Sequence, residues 1–328
     1  MCAVIGEALL DMVQPELGGP YVAHPGGSPL NVAVGLQRLG HPTHLLARLS
    51  SRPLGEPLRR HAAENGLDLT ACVHVDEKVT LAFATLDDER RAAYEFYVDG
   101  TVDWGWTDEE LCRVPSAAAV VHTGSLATVL GPGAVALARL FSRLHDEGGR
   151  VLSFDPNVRP KLAGDRAGAV TQVERFAANA NVVKVSKEDL SWLYPRDDPD
   201  EVLERWLNLG PALVVMTDGP AGCKAVTARR DEIVLDGEDV TVKDTIGAGD
   251  AFQSGLLSGL LDAGIVTPIA LSQMSTEVAT AVLRRATLVA ALTCQRTGAD
   301  PPTRQVYADA VSNHRGVDPW IGTPGSDN

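Results

Sequence analysis

The chain is poor in features that would commit it to metal, membrane or nucleic acid. Its five cysteines, Cys2, Cys72, Cys112, Cys223 and Cys294, stand singly, with no C-x-x-C pair and no histidine at ligand spacing. This excludes a zinc site or a disulfide framework and leaves reduced packing residues. Basic runs are missing too. Lys and Arg number 29 against 43 Asp and Glu, a formal charge of −14, which would repel nucleic acid and anionic membrane surfaces. No stretch approaches the run of about 18 apolar residues that a membrane helix needs. The opening "MCAVIGEALLDMVQPE" has no basic lead and meets Glu7 and Asp11 early, so no signal peptide and a cytoplasmic location are expected. No internal repeat and no low-complexity linker divides the 328 residues. A small-molecule partner is the expectation.

What is present is a rhythm. Short apolar runs recur in "AVIGEALLD", "AAAVVHTG", "RVLSFDPN", "NVVKVS" and "ALVVMTDG" and read as buried strands. Amphipathic stretches lie between them. In "GPGAVALARLFSRLHDEGG", Val135, Leu137, Leu140, Phe141 and Leu144 make an apolar face and Gly148 supplies a stop. Strand and helix in alternation predict an α/β fold, a mainly parallel sheet covered on both faces. Two segments, "DMVQPELGGPYVAHPGG" and "KVTLAFATLDDERRAAYEFYVD", alternate apolar and polar positions as an antiparallel sheet with one wet face would. They predict a small β-sheet lid, from about 11–25 and 78–100, inserted into a body spanning 1–312. Gly18–Gly19 and Gly26–Gly27 flank its segments and are expected to let it close. Residues 313–328, rich in Gly, Pro, Ser and Asp, are expected to form a flexible tail.

Ligands of an open parallel sheet gather beyond the carboxyl ends of its strands. The residues at those places are Asp11, Asp155 with Asn157 and Arg159, Ser186, and Thr217 with Gly219. In "DTIGAGDAFQSGLL", Gly247, Ala248 and Gly249 leave the backbone bare before a helix marked by Phe252, Leu256, Leu257, Leu260 and Leu261 and closed by Gly264. The free N–H groups of such a helix start suit an anion, phosphate above all. Asp250 beside bound phosphate would be repulsive unless it served as a base toward an acceptor hydroxyl; the alternative is that it only caps the helix. In "GGSPLNVAVGLQRLG", Ser28 reads as an N-cap, Pro29 as the first helical position and Gly40 as the end. Gly26, Gly27 and Asn31 are less ordinary, since two glycines permit close approach and an amide serves a polyol.

These stretches resemble the signatures of the PfkB/ribokinase carbohydrate-kinase family, and of fructokinases in particular. "PGGSPLNVAVGLQRLG" resembles the N-terminal signature and "DTIGAGDAFQSGLL" the C-terminal one, with "GEALLDM", "FDPNVRP", "VKVSKEDL", "VMTDGPAGC" and "CQRTGADPP" in the family's order. The resemblance implies a ribokinase-like three-layer αβα body with a β-lid, ATP as donor with Mg2+, and a sugar hydroxymethyl group as acceptor. Asp250 corresponds to the catalytic base, and Gly247, Ala248 and Gly249 to the anion hole. Asp11, Gly26, Gly27 and Asn31 match sugar-binding positions, joined by Arg159 and by Tyr97 of the lid. Lys184, Ser186, Thr217, Gly219 and Gly222 match the ATP side. The chain departs from the pattern at three places. The family's Asn-x-x-Glu reads Ser186 to Asp189, which leaves Asp189 to the outer shell of magnesium. Ile246 replaces a residue of the usual "DTTGAGD". Thr287 stands where many relatives carry an Asn near the adenine. A K+ site is expected from backbone near Asp244, Ile246 and Arg296 to Gly298.

Fructose is the expected acceptor, with 2-keto-3-deoxygluconate or ribose as alternatives. A binding protein without activity is the other class, and the intact Asp250 and its small neighbours stand against it. An apolar lid face would be covered by a second copy, so a homodimer through the lid is expected.

Overall fold

The computed structural model describes residues 1–14, 18–86 and 92–313. The apolar runs become strands as their patterns require, but the first divides in two. "AVIGEALLD" turns at Gly6–Ala8, so that β1 (Cys2–Ile5) and β2 (Leu9–Val13) enter different sheets. β3 (Val22–Gly26) pairs antiparallel with β2, and α1 (Ser28–Arg38) returns the chain to the body. β4 (Thr43–Leu46), β5 (Arg48–Ser50), α2 (Glu56–Glu64) and β6 (Val73–Val75) follow, then β7 (Leu81–Leu86) and β8 (Ala92–Tyr97). A short α3 (Asp108–Leu111) precedes the alternating core: β9 (Val120–Gly124), α4 (Gly133–Glu147), β10 (Val151–Asp155), α5 (Arg166–Asn179), β11 (Val182–Ser186), α6 (Lys187–Leu193), α7 (Pro199–Leu207) and β12 (Leu213–Thr217). β13 (Cys223–Thr227) and β14 (Glu232–Leu235) make a hairpin before α8 (Ala248–Asp262), α9 (Pro268–Ser272), α10 (Thr276–Cys294) and α11 (Arg304–Asn313).

The large sheet runs β14-β13-β12-β11-β10-β9-β1-β4, parallel from β12 to β4, with the last hairpin antiparallel at one edge. Alternation along each strand sends side chains to two cores. Cys2 and Val4 of β1 meet α1, α8 and α10, while Ala3 and Ile5 meet α4, α5 and α7. The result is three layers, helix, sheet, helix. Val135 is the exception on α4: it is exposed, and Leu137, Leu140, Phe141 and Leu144 carry the buried face. α8 has no wet face along most of its length, with every residue from Asp250 to Leu260 buried.

A second, four-stranded sheet has the order β3-β2-β7-β8. Gly26–Gly27 lies where β3 leaves it, whereas Gly18–Gly19 sits in the connection between β2 and β3, two strands of the same small sheet, and not between that sheet and the body. The tail expected from 313 lies outside the described residues, apart from Asn313 at the end of α11. Among the described residues no helix is long and apolar enough to cross a membrane.

Candidate active site

Toward the carboxyl ends of β9, β10 and β11, under α8, the sheet changes from apolar to polar. His122, Ser153, Asp155 and Lys184 are all buried there. Ser153 stands opposite His122 in register; its hydroxyl lies 3.1 Å from His122 Nδ1 and accepts Gln253 Nε2 of α8 at 2.7 Å. Burial lowers His122 to about 3, with Lys184 adding to the effect, so the imidazole is neutral. Lys184 Nζ pairs with Asp155 Oδ2 at 2.6 Å. Burial works to lower the ammonium's pKa, but the charge and hydrogen bond of Asp155 outweigh it and hold the value above ordinary.

Above this floor α8 begins. Gly247 is its N-cap at φ 74, and a Cβ there would come 2.5 Å from Ala299 Cβ, so only glycine fits. Ala248, Gly249 and Asp250 form the first turn, and Gly249 lies over Lys184 Nζ, which a Cβ on it would approach to 3.2 Å. The positive end of a 15-residue helix and a buried ammonium therefore converge. Asp250 does not cap this helix. Its Oδ1 accepts Ser28 Oγ at 2.6 Å and its Oδ2 accepts Asn31 Nδ2 at 2.8 Å, both from α1. Burial raises its pKa; the Ser28 and Asn31 bonds and Lys184 oppose that rise.

Ser28 is accordingly not the N-cap of α1. That place belongs to Gly27, and Ser28 is the first helical residue with its hydroxyl turned to Asp250. The spacing of Ser28 and Asn31, three apart and so on one helix face, was the available signal.

Asp11 also differs from its expected place. It lies inside β2 of the small sheet, not after a strand of the large one, and it still faces the site. Burial lifts its carboxyl to about 6, opposed by the charge of Arg159 and reinforced by that of Asp250. Gly26 packs directly against that carboxylate. Tyr97 is not brought to this group. The register aligns Asp11 with Ala82 and Ala82 with Phe96, so Phe96 shares the Asp11 face while Tyr97 points to the other, half-exposed and edge-on to Phe83. A one-residue offset is decisive at a period of two.

On the other side, Ser186 caps α6 by accepting from Asp189 N at 3.0 Å. Asp189 Oδ1 accepts from Val158 N at 3.1 Å, and burial, with Asp155 nearby, lifts this carboxyl to about 6. Thr217 ends β12 opposite Cys223, whose sulfur lies 3.9 Å from the Thr287 hydroxyl. That hydroxyl donates to Leu283 O, so toward a ligand Thr287 can act only as an acceptor. Gly219 and Gly222 bracket a turn between β12 and β13, both at positive φ. Asp244 accepts from Ile246 N at 3.0 Å and from Gly298 N at 2.8 Å, stitching together the two loops expected to form a K+ site.

Sequence reading overlooked two buried carboxylates at the junction of the sheets. Glu7 accepts from Ala127 N, and Asp103 accepts from Ala8 N and Thr80 Oγ1. Burial raises each to about 7. Two surface grooves, of about 460 Å3 beside Glu204 and Lys224 and about 540 Å3 beside Arg139 and Arg143, lie apart from the site.

Comparison with known proteins gives one answer. Residues 1–305 match the family described as pfkB family carbohydrate kinase. A fructokinase of Rhizobium leguminosarum bv. trifolii is 34% identical over 263 residues, 79% of this chain and 79% of that protein. A crystal structure of a fructokinase with bound ATP from Xylella fastidiosa is similar at a TM-score of 0.87 and 27% identity, covering 96% of this chain and 98% of that one. A fructokinase of Vibrio cholerae O395 in fructose, ADP and calcium ion bound form is similar at 0.77 and 26% identity, over 91% of this chain and 94% of the other. The ribokinase-like arrangement, a large mainly parallel sheet between helices with a small sheet beside it, is common to these neighbours and this chain.

Proposed function

The chain belongs to the pfkB family of carbohydrate kinases, and we propose that it transfers the terminal phosphoryl group of ATP to the hydroxymethyl group of fructose, giving fructose 6-phosphate and ADP. The observation that carries this reading is the seat of Asp250: a buried carboxylate in the first turn of α8, held through both oxygens by neutral donors, beside bare backbone and a buried ammonium.

Phosphoryl transfer to an alcohol passes through a loose transition state, so position and charge stabilisation dominate. The backbone N–H groups from Gly247 to Gly249 and the Lys184 ammonium beneath them meet the charge on the transferring group. Asp250 orients the acceptor hydroxyl and takes its proton as the new P–O bond forms and the bond to ADP breaks. Asp11, Gly26, Gly27, the Asn31 carbonyl and Arg159 hold the sugar's other hydroxyls. Ser186, Thr217, Gly219, Gly222 and Thr287 receive the nucleotide.

Among the described residues no cluster of three or more His, Cys, Asp or Glu is arranged to hold a metal ion. Mg2+ would be carried on the phosphates of ATP, keeping several waters and needing few protein carboxylates. Asp189, one oxygen of which is committed to Val158 N, is the carboxylate we assign to that water shell; bound Mg2+ supplies neutralising charge to the phosphates. Backbone near Asp244 and Ile246 is assigned to K+, because Asp244 fixes both loops. The face of the small sheet turned away from Asp11 exposes Tyr21 and Tyr97, both edge-on to Phe83, which supports a homodimer through the lid. A cytoplasmic enzyme fits the scattered free cysteines.

A coupled assay of ADP release over a panel of sugars tests the reading, with fructose expected to lead. Asp250→Asn is expected to keep ADP binding and lose roughly a hundredfold or more in turnover. Near-parental turnover in that variant would take the role of proton acceptor from Asp250, and failure of fructose to lead the panel would sink the substrate reading.

A further inference from the structure

Between α1 and α8 lies a contact that the reaction does not by itself require. Ser28 and Asn31 occupy one face of the first turn of α1 and reach both oxygens of Asp250. One helical turn further along both helices, Gly35 packs on Ser254, so closely that a Cβ on Gly35 would fall 2.3 Å from Ser254 Oγ. The pairs are in step: Asn31 and Gly35 are four apart, as are Asp250 and Ser254. The missing side chain at Gly35 lets the helix axes approach until a hydroxyl as short as serine's spans the gap to Asp250 at 2.6 Å.

We propose that Ser28 is a positioning residue for the proton acceptor: its hydroxyl holds Asp250 Oδ1, fixes the plane of the carboxylate together with Asn31, and favours its ionised form. The inference rests on Asp250 being the base. Ser28 is buried and lies inside the first turn of α1 after the N-cap Gly27, and among the described residues its hydroxyl is given to Asp250. A hydrogen bond to an ionised carboxylate is among the stronger neutral-donor contacts. It opposes the burial that pushes Asp250 toward its protonated, unreactive form. The other charged groups facing Asp250 are Asp11 from β2, Asp155 from β10 and Lys184 from β11. Ser28 is hydrogen-bonded to none of them in the structure, so its removal acts on Asp250 directly and on Asp11 only through the charge of Asp250.

The test is the pH dependence of kcat/KM for fructose at saturating MgATP, in the parent, Ser28→Ala and Asp250→Asn. Ser28→Ala is expected to move the acid limb upward by about one pH unit, with ADP affinity within about twofold of the parent and most of the lost rate recovered on the alkaline plateau. A uniformly slower Ser28→Ala enzyme with an unmoved limb would overturn the assignment, since a merely structural role lowers activity without displacing a titration. Should Asp250→Asn retain turnover, the base itself is wrong and the inference falls with it. Asp250→Asn inactive with an unmoved Ser28→Ala limb removes the inference alone. Ser28→Thr, which keeps the hydroxyl, is expected to return the limb to its parental place.

Discussion

A neutral ketose asks a protein for hydrogen bonds, whereas a sugar acid asks also for cations. Arg159 is the cation nearest the candidate sugar residues, and it is partly spent. Its Nη1 donates to Asn157 O, Asn157 Oδ1 and Val158 O, while its charge faces Asp11, Glu7 and Asp189. Val98, just after β8, has no charge to add. A second carboxylate brought by the ligand would compete with Asp11 for one guanidinium and meet the negative charge of Asp250. Fructose is therefore expected to show a kcat/KM at least about tenfold above that of 2-keto-3-deoxygluconate, the cost of one unmatched charged contact. Parallel kinetics on the two compounds decide it, and preference for the acid would reverse the substrate while leaving the kinase in place.

α8 serves the core and the chemistry at once, so its packing tolerates little change. Gly255 faces α10, where an added Cβ would come 2.9 Å from the backbone of Ala286 and 3.0 Å from Val289. Gly255→Val must part the two helices, an overpacking that costs about 1–3 kcal/mol. The same shift moves Asp250 relative to Ser28 and Asn31 of α1, so turnover should fall further than the loss of folded protein explains. Urea midpoints and specific activity of the folded fraction measure the two effects, and a destabilised variant with full specific activity would uncouple them. Elements such as this were legible from sequence: period and stop glycine gave α8 its ends, and Gly264 follows it at positive φ. The parallel strands β9 to β12 were equally plain because burial on both faces makes them continuously apolar, whereas β4 was not legible and β1 ran together with β2. Contacts across distant sequence were not legible. Serine before a proline reads as a cap whatever its hydroxyl touches, and Tyr97 and Phe96 cannot be assigned to faces until a pairing register exists. Glu7 and Asp103 look like surface acids until the junction buries them.

At the scale of the whole molecule, that junction governs how body and small sheet communicate. Asp103 binds Ala8 N, between β1 and β2, and Thr80, which leads into β7 and contacts Thr101 beyond β8. One carboxyl thus gathers three passages of the chain between the sheets. The folded protein keeps the proton of Asp103 up to about pH 7, while the unfolded chain releases it near the ordinary carboxylate value of about 4. Its contribution is complete at low pH and declines as pH rises through 7. Asp103→Asn, a neutral mimic of the protonated acid, should gain stability relative to the parent on going from about pH 5 to about pH 8. Equal offsets in urea midpoint at both values would contradict this. Sugar binding is expected to draw the small sheet over the cleft and shrink the solution scattering radius; superimposable profiles with and without fructose would argue for a rigid molecule. The clamp on Asp250 carries a consequence for synthesis on the ribosome. Its two halves are 222 and 219 residues apart, an interval of about ten to forty seconds at ordinary elongation rates. Through that time α1 has emerged without Ser254 of α8 to cover its Gly35 side. Phosphotransfer is the last property the growing chain acquires, so a message cut short before α8 yields no enzyme at all.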